Sequence, residues 1–299
     1  MADQRRLVFR IAGGLGNQLF QYATGRRMAL QNGVPLTLDH ISGFPRDFYR
    51  RKYLLDLFNI QCEYVAPSES YATFTGRIRR RLQIRLNQGR PLEKKRFVLE
   101  GDQGYKPELL AYRVTHPVYF EGYWQHEEYF RDIRDQLLEE LTLRVPPDAE
   151  NARLGERIDS VEAVCLHVRQ LRNVPNIPDA KPIPTAPGEH LDSTYYQRAA
   201  ERLAERVSNP HFFVFADYPN WAREHIHLPY PVEYVTHNGA DRDYEDLRLM
   251  TRCRHFVLAN STFSWWAAWL SRNPSKVVIA PRAGIGRGLQ SVPPEWELI

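Results

Sequence analysis

The chain has 299 residues, a formal net charge of +4, 43% apolar residues and 12% aromatic ones. That length is comfortable for two ordinary domains, and no apolar run approaches the roughly 18 residues of a membrane-crossing helix. Cys62, Cys165 and Cys253 lie far apart without a C-x-x-C pair, which speaks against a zinc cluster or a disulfide framework and for reduced thiols in a cytoplasmic protein.

In chain order, Met1–Arg6 runs straight into a strand pattern, with no signal-peptide pattern read before it. Leu7–Ala12 is apolar and is followed by Gly13-Gly14-Leu15-Gly16. A helical pattern then covers Asn17–Asn32 and a strand pattern Val34–Asp39. This β–glycine loop–α–β order opens an α/β unit. The stretch from Ile41 to Arg96 is less regular. Val118–Glu121 is expected as a strand and His126–Leu143 as a helix with Phe130, Ile133, Leu137, Leu138 and Leu141 inward. Val145-Pro146-Pro147-Asp148 predicts a boundary, giving domains over 1–147 and 148–299. After it come strands at Ala163–Val168, Phe212–Ala216, Val232–Val235, His255–Ala259 and Val277–Ala280. Helices are expected from Asp192 or Ser193 to Val207, over Asp243–Thr251 and over Ser264–Ser271. Near-continuous apolar strands alternating with helices predict parallel, doubly wound sheets in two Rossmann-like domains. The Pro-rich run Val174–Pro187 is expected as a long loop of the kind that serves as a lid.

In such sheets ligands bind at the carboxyl ends of the strands, so the loops there are the informative places. Gly13–Gln18 follows the first strand; it is either a tight strand–helix turn or an approach for an anion to a helix N-terminus. Its spacing fails the dinucleotide fingerprint. His167 and Arg169 end a strand and point the same way. Arg169 suits a bidentate grip on phosphate, or a structural ion pair. Asn260-Ser261-Thr262-Phe263-Ser264 precedes Trp265-Trp266 and reads as a phosphate cradle or an ordinary capped helix. Asp217, at another strand end, either accepts from a ribose or base or caps a helix. Asp241-Arg242-Asp243 precedes a helix and reads as an acidic cap. His225 and His227 lack a third ligand near them, so no metal is predicted.

Between Arg77 and Arg96 nine basic residues face one acid, Glu93. Ile78, Leu82 and Leu86 are spaced for one helix face. The segment reads as a solvated helix or as a peripheral contact with an anionic membrane surface or lipid-linked acceptor. Nucleic acid is not expected, since no recognition motif accompanies the charge.

Together these residues resemble glycosyltransferase family 11, the α-1,2-fucosyltransferases. Gly13–Ala23 (GGLGNQLFQYA), Glu121–Phe130 (EGYWQHEEYF), Phe215–Trp221 (FADYPNW) and Asp246–Leu270 carry the likeness, in the family's order. The resemblance implies a GT-B fold of two facing Rossmann-like domains, the first on the acceptor side and the second binding the donor. It implies GDP-fucose as donor, inversion at the anomeric carbon, no required metal or other cofactor, and a galactoside acceptor such as lactose or a lipid-linked oligosaccharide. Arg169 would hold the diphosphate. Asn260, Ser261, Thr262, Phe263 and Ser264 would seat phosphates and fucose. Gly14, Gly16 and Asn17 would face the donor, with His167 and Asp217 near the nucleoside. One departure stands out. The family continues H-x-R with a second Arg, whereas this chain has Gln170-Leu171-Arg172.

The expected reaction is a direct displacement with a carboxylate base, Asp39 or Glu121 at the strand ends. The expected place of work is the cytoplasm, peripherally at the inner face of the membrane. Two alternatives remain from the sequence: the same fold with another nucleotide sugar, or a non-catalytic glycan-binding homologue.

Overall fold

The computed structural model describes residues 5–101, 104–172, 183–184, 191–239, 241–286 and 288–299. The chain divides into two compact units, Met1–Arg144 and Val145–Ile299.

The first unit is built on strands β1 (Leu7–Arg10), β2 (Leu36–Asp39), β3 (Glu63–Tyr64), β4 (Phe97–Leu99) and β5 (Val118–Glu121). They form one sheet in the order β3-β2-β1-β5-β4, every pair parallel. Helix α1 (Leu15–Asn32) follows β1, α2 (Phe74–Asn87) precedes β4, and α3 (Arg134–Glu140) closes the unit. Phe9 of β1 and Phe120 of β5 stack with ring centroids 4.9 Å apart, and Trp124 packs edge-on to both. The expected helix over 126–143 is shorter than its apolar pattern suggests. Two 3₁₀ turns, Glu127–Tyr129 and Arg131–Ile133, occupy its first half. Phe130 breaks the helical path between them, with φ −148° and ψ 6°, because its ring is buried against Phe20.

The second unit begins with α4 (Ala149–Asp159), capped by Asp148, whose carboxylate accepts from Asn151 N. Strands β6 (Ala163–Val168), the short antiparallel pair β7 (Leu171–Arg172) and β8 (Ile183–Pro184), β9 (His211–Ala216), β10 (Val232–Val235), β11 (His255–Val257), β12 (Val278–Ala280) and β13 (Glu297–Leu298) alternate with four further helices. These are α5 (Ser193–Ala204), α6 (Pro219–His225), α7 (Asp243–Arg252) and α8 (Thr262–Leu270). The main sheet runs β10-β9-β6-β11-β12-β13, all parallel. Every residue of β6 is buried, as an apolar strand covered on both faces must be. The expected Pro-rich loop Val174–Pro187 lies outside the described residues apart from 183–184.

Counted within its own unit, the second sheet has the 3-2-1-4-5-6 order of the doubly wound fold. The first keeps 3-2-1 and then exchanges the last two strands. In both, the strand order reverses beside the unit's first strand, between β1 and β5 and between β6 and β11. The crevice at such a reversal is where ligands bind. Two Rossmann-like units of this kind make up the GT-B class.

Candidate active site

In the first unit the reversal lies between the loop after β1 and the loop after β5. Gly13 has φ +81°, and a Cβ there would meet the Asn17 amide at 2.8 Å, so only glycine makes this turn without strain. Gly14 caps α1, and Gly16 lies within its first turn. Two buried glutamines then lock the loop. Gln18 donates to the carbonyls of Gly13 (2.9 Å) and Lys52 (2.7 Å) and accepts from Leu54 N (2.9 Å). Gln21 accepts from Ala12 N and donates to Gly122 O, both at 2.9 Å, tying the two loops together. Across the reversal Asn17 Oδ1 accepts from Gln125 Nε2 at 2.8 Å. Gln125 is buried, and its Oε1 has no partner among the described residues. Glu100 holds the turn from below by accepting from Tyr123 N (2.5 Å) and Trp124 N (2.9 Å). The Asn17–Gln125 pair was not singled out from the sequence, although Gln125 stands inside the EGYWQHEEYF motif.

Neither carboxylate expected as a base is available for that work. Asp39 is fully buried. Its Oδ1 accepts from Ile41 N (3.1 Å) and Ser42 N (2.9 Å), and its Oδ2 from Ser42 Oγ (2.5 Å) and Tyr119 Oη (2.7 Å). Four donors fill the acceptor capacity of a carboxylate, so Asp39 holds the strand end. Glu121 is clamped by two guanidinium groups, Arg10 Nη1 at 2.7 Å and Arg80 Nε at 2.7 Å, with a further contact from Arg80 Nη2. Its charge is spent on joining β1, β5 and α2.

In the second unit the reversal is more highly charged. Arg169 follows β6, and its Nε stands 3.1 Å from Asp217 Oδ2. Asp217 Oδ1 accepts from Gln170 N at 2.9 Å, and Tyr196 Oη accepts from Arg169 N at 3.1 Å. Asp217 caps no helix, since α6 begins after Tyr218 without a side-chain cap. It fixes the guanidinium instead, leaving the Arg169 side chain about one-third exposed (34%). Gln170, the departure from the family pattern, is buried and donates its amide to Leu191 O at 2.6 Å. It packs the base of the loop.

On the other side of the reversal stands the start of α8. Ser261 caps it, its Oγ accepting from Phe263 N at 3.3 Å. Asn260 Oδ1 accepts from Gly286 N at 3.1 Å. Ser264 is fully buried and donates to Ser261 O at 3.3 Å. The Ser261 and Ser264 hydroxyls expected in a phosphate cradle are thus used to hold the turn. What the turn presents is the set of first-turn N–H groups and the positive end of a helix dipole, with no acid in the first turn. Trp265 anchors the helix, donating its Nε1 to Ser291 O at 2.7 Å and packing with Trp266, Trp269 and Trp296.

His167 connects the two sides. Its ring lies 5.8 Å from that of Phe263, and its Nδ1 is buried with no hydrogen-bond partner among the described residues. Burial, and then the charge of Arg169, push its pKa down to about 3. The imidazole is therefore neutral at working pH and offers no cation to a ligand. On α7, burial pushes Asp243 up to about 6, with the charge of Arg169 opposing. Burial also pushes Asp246 up to about 7, against the hydrogen bond from Asn238. Asp241-Arg242-Asp243 was expected as an acidic cap, and the first turn of α7 does carry Asp243, Glu245 and Asp246. The structure starts α7 at Asp243 without a side-chain cap.

A cationic side chain and a helix N-terminus beside a strand-order reversal are groups of the kind that favour anions. The family model described as "Glycosyl transferase family 11" matches residues 93–284. The chain belongs to glycosyl transferase family 11. It is 31% identical over 280 residues to an alpha-1,2-colitosyltransferase of Escherichia coli, covering 92% of this chain and 91% of that protein. It is 29% identical over 160 residues to galactoside alpha-(1,2)-fucosyltransferase 2 of Mus musculus, which is 52% of this chain and 45% of the mouse protein. The crystal structure of the alpha-1,6-fucosyltransferase NodZ, a Bradyrhizobium protein, co-crystallized with GDP, matches with a TM-score of 0.53 at 18% identity. That match covers 93% of this chain and 96% of that one. It is a likeness of fold. The chain is therefore a glycosyltransferase, with the GT-B make-up expected from its sequence.

Proposed function

We propose that this glycosyltransferase moves L-fucose from GDP-fucose to the 2-hydroxyl of a terminal galactose, with inversion. The observation that carries this reading is the Arg169 guanidinium fixed by Asp217 beside the N-terminus of α8. The family's relatives, among them α-1,2-fucosyltransferases, support it.

In the proposed step the acceptor oxygen attacks the anomeric carbon from the face opposite the diphosphate. The bond from that carbon to the phosphate oxygen breaks, and the electron pair leaves with GDP. Arg169 and the first-turn N–H groups of α8 stabilise the charge that develops on the leaving diphosphate. His167, neutral and hidden against Phe263, shapes this wall without adding charge. With Asp39 and Glu121 committed to the fold, the step proceeds without a side-chain base. The hydroxyl becomes acidic as its bond to an oxocarbenium-like centre forms, and its proton passes to water.

Release of GDP from GDP-fucose in the presence of lactose tests the proposal. Turnover with GDP-fucose supports it; no turnover with GDP-fucose but turnover with another nucleotide sugar defeats the donor assignment. A second reading keeps the linkage and exchanges fucose for colitose, which is fucose without its 3-hydroxyl. The 31% identity to an alpha-1,2-colitosyltransferase favours it. Comparing GDP-fucose with GDP-colitose in the same assay separates the two.

A further inference from the structure

Helix α2 has an apolar stripe that the fold does not use. Its inner face is fixed by four contacts. A Cβ on Gly76 would meet Ser70 O at 2.7 Å, and Arg80 pairs with Glu121. Ile84 packs on the cluster of Val8, Val65, Phe97 and Tyr119, and Asn87 Oδ1 accepts from Arg96 N at 2.6 Å. At about 100° per residue these positions centre on one side of the helix, and Phe74, Ile78, Leu82 and Leu86 centre about 180° away. The stripe is accordingly left in solvent: Phe74 is 69% exposed, Ile78 43%, Leu82 56% and Leu86 60%. The helix cannot roll to bury it, because Gly76, Arg80, Ile84 and Asn87 would then lose their seats.

Charge says what covers the stripe. Arg81 and Arg85 flank it, and Arg90 and Lys94 follow in the next turns of chain, all exposed. None of the four has an acidic partner among the described residues. A second copy of the chain docking by the same face would bring these cations against one another, whereas an anionic phospholipid surface complements both the charges and the apolar row. We propose that the outer face of α2 is a peripheral docking surface for an anionic bilayer, with Phe74, Ile78, Leu82 and Leu86 entering the headgroup–acyl boundary and the flanking arginines on the phosphates.

The test is sedimentation of the full chain with vesicles of phosphatidylcholine alone or mixed with phosphatidylglycerol, at low and high salt. The chain binds the mixed vesicles, and salt weakens the binding. A Leu82→Ser/Leu86→Ser variant loses at least about tenfold in association, and Arg81→Gln and Arg85→Gln each lose about fivefold. Both sets touch only exposed side chains, and an unchanged far-ultraviolet dichroism spectrum checks their folding. Absence of binding, equal binding to neutral vesicles, or variants that bind like the wild type would overturn the proposal. So would concentration-dependent self-association in sedimentation velocity that the leucine variant abolishes.

Discussion

The two strand-order reversals are made with the same device, a loop between a parallel strand and a helix, but they handle polarity in opposite ways. In the first unit the loop after β1 is stitched shut by neutral amides: Gln18, Gln21 and the Asn17–Gln125 pair. In the second, a guanidinium held by Asp217 stands with a helix N-terminus whose neighbouring hydroxyls hold the turn. The first arrangement is built from neutral amides; the second retains a cation and the positive end of a helix. The same motif density in a sequence can therefore signal either role.

Mutations in the two loops should fail differently, and that contrast is the sharpest way to break the comparison. Arg169→Ala should cost about a thousandfold in kcat/KM, the scale for losing a group aimed at developing charge, with the unfolding midpoint little changed. Near-normal GDP release in this variant would remove Arg169 from the chemistry. Gln18→Ala leaves two carbonyls and one N–H without their partner in a buried loop, a loss of about 3 kcal/mol. Here the thermal midpoint should fall while kcat of the protein still folded changes by no more than about twofold. A kcat collapse without loss of stability would show that the first loop also acts in the reaction.

Asp217→Asn keeps the shape and removes the charge that orients Arg169. Turnover should fall by roughly tenfold to a hundredfold, mostly in donor KM, since Arg169 survives but is less fixed. An unchanged donor KM would make Asp217 a purely structural residue. The remaining effect concerns pH. Asp246 has a folded-state pKa raised to about 7, so between its unfolded value and 7 the native state binds the extra proton. Stability is therefore lost as pH rises through that window, by up to about 1.4 kcal/mol per pH unit. Asp246→Asn should flatten the curve between about pH 4 and 7 and be the more stable protein at pH 8; equal slopes for both proteins would contradict the assignment.

Much of the fold was legible because its central strands are continuous apolar runs. Val118–Glu121 and Val232–Val235 match their expected limits. Strands β3 and β13, of two residues each, carry no periodicity to read. The loops at both reversals were found from glycine, hydroxyl and arginine placement after strands. What stayed hidden was commitment to distant partners. Nothing beside Asp39 in the chain announces Tyr119, and nothing beside Glu121 announces Arg10 or Arg80. A carboxylate at a strand end looks the same whether it serves a reaction or the frame. For α2 the spacing of Ile78, Leu82 and Leu86 predicted a stripe, but only the seating of Gly76 and Asn87 shows that it faces outward.

The sheet orders also bear on how the chain is made. Each unit puts its first-synthesised main-sheet strand in the middle. Leu7 pairs with Leu36 on one side but with Val118 on the other, and Cys165 must wait for Phe256. While a ribosome is still completing either unit, an apolar strand stands with one hydrogen-bonding edge open. Such long-range closure is slow, and an open apolar edge is a template for the wrong partner. A nascent chain stopped before Val118 has no native strand to close that edge of β1.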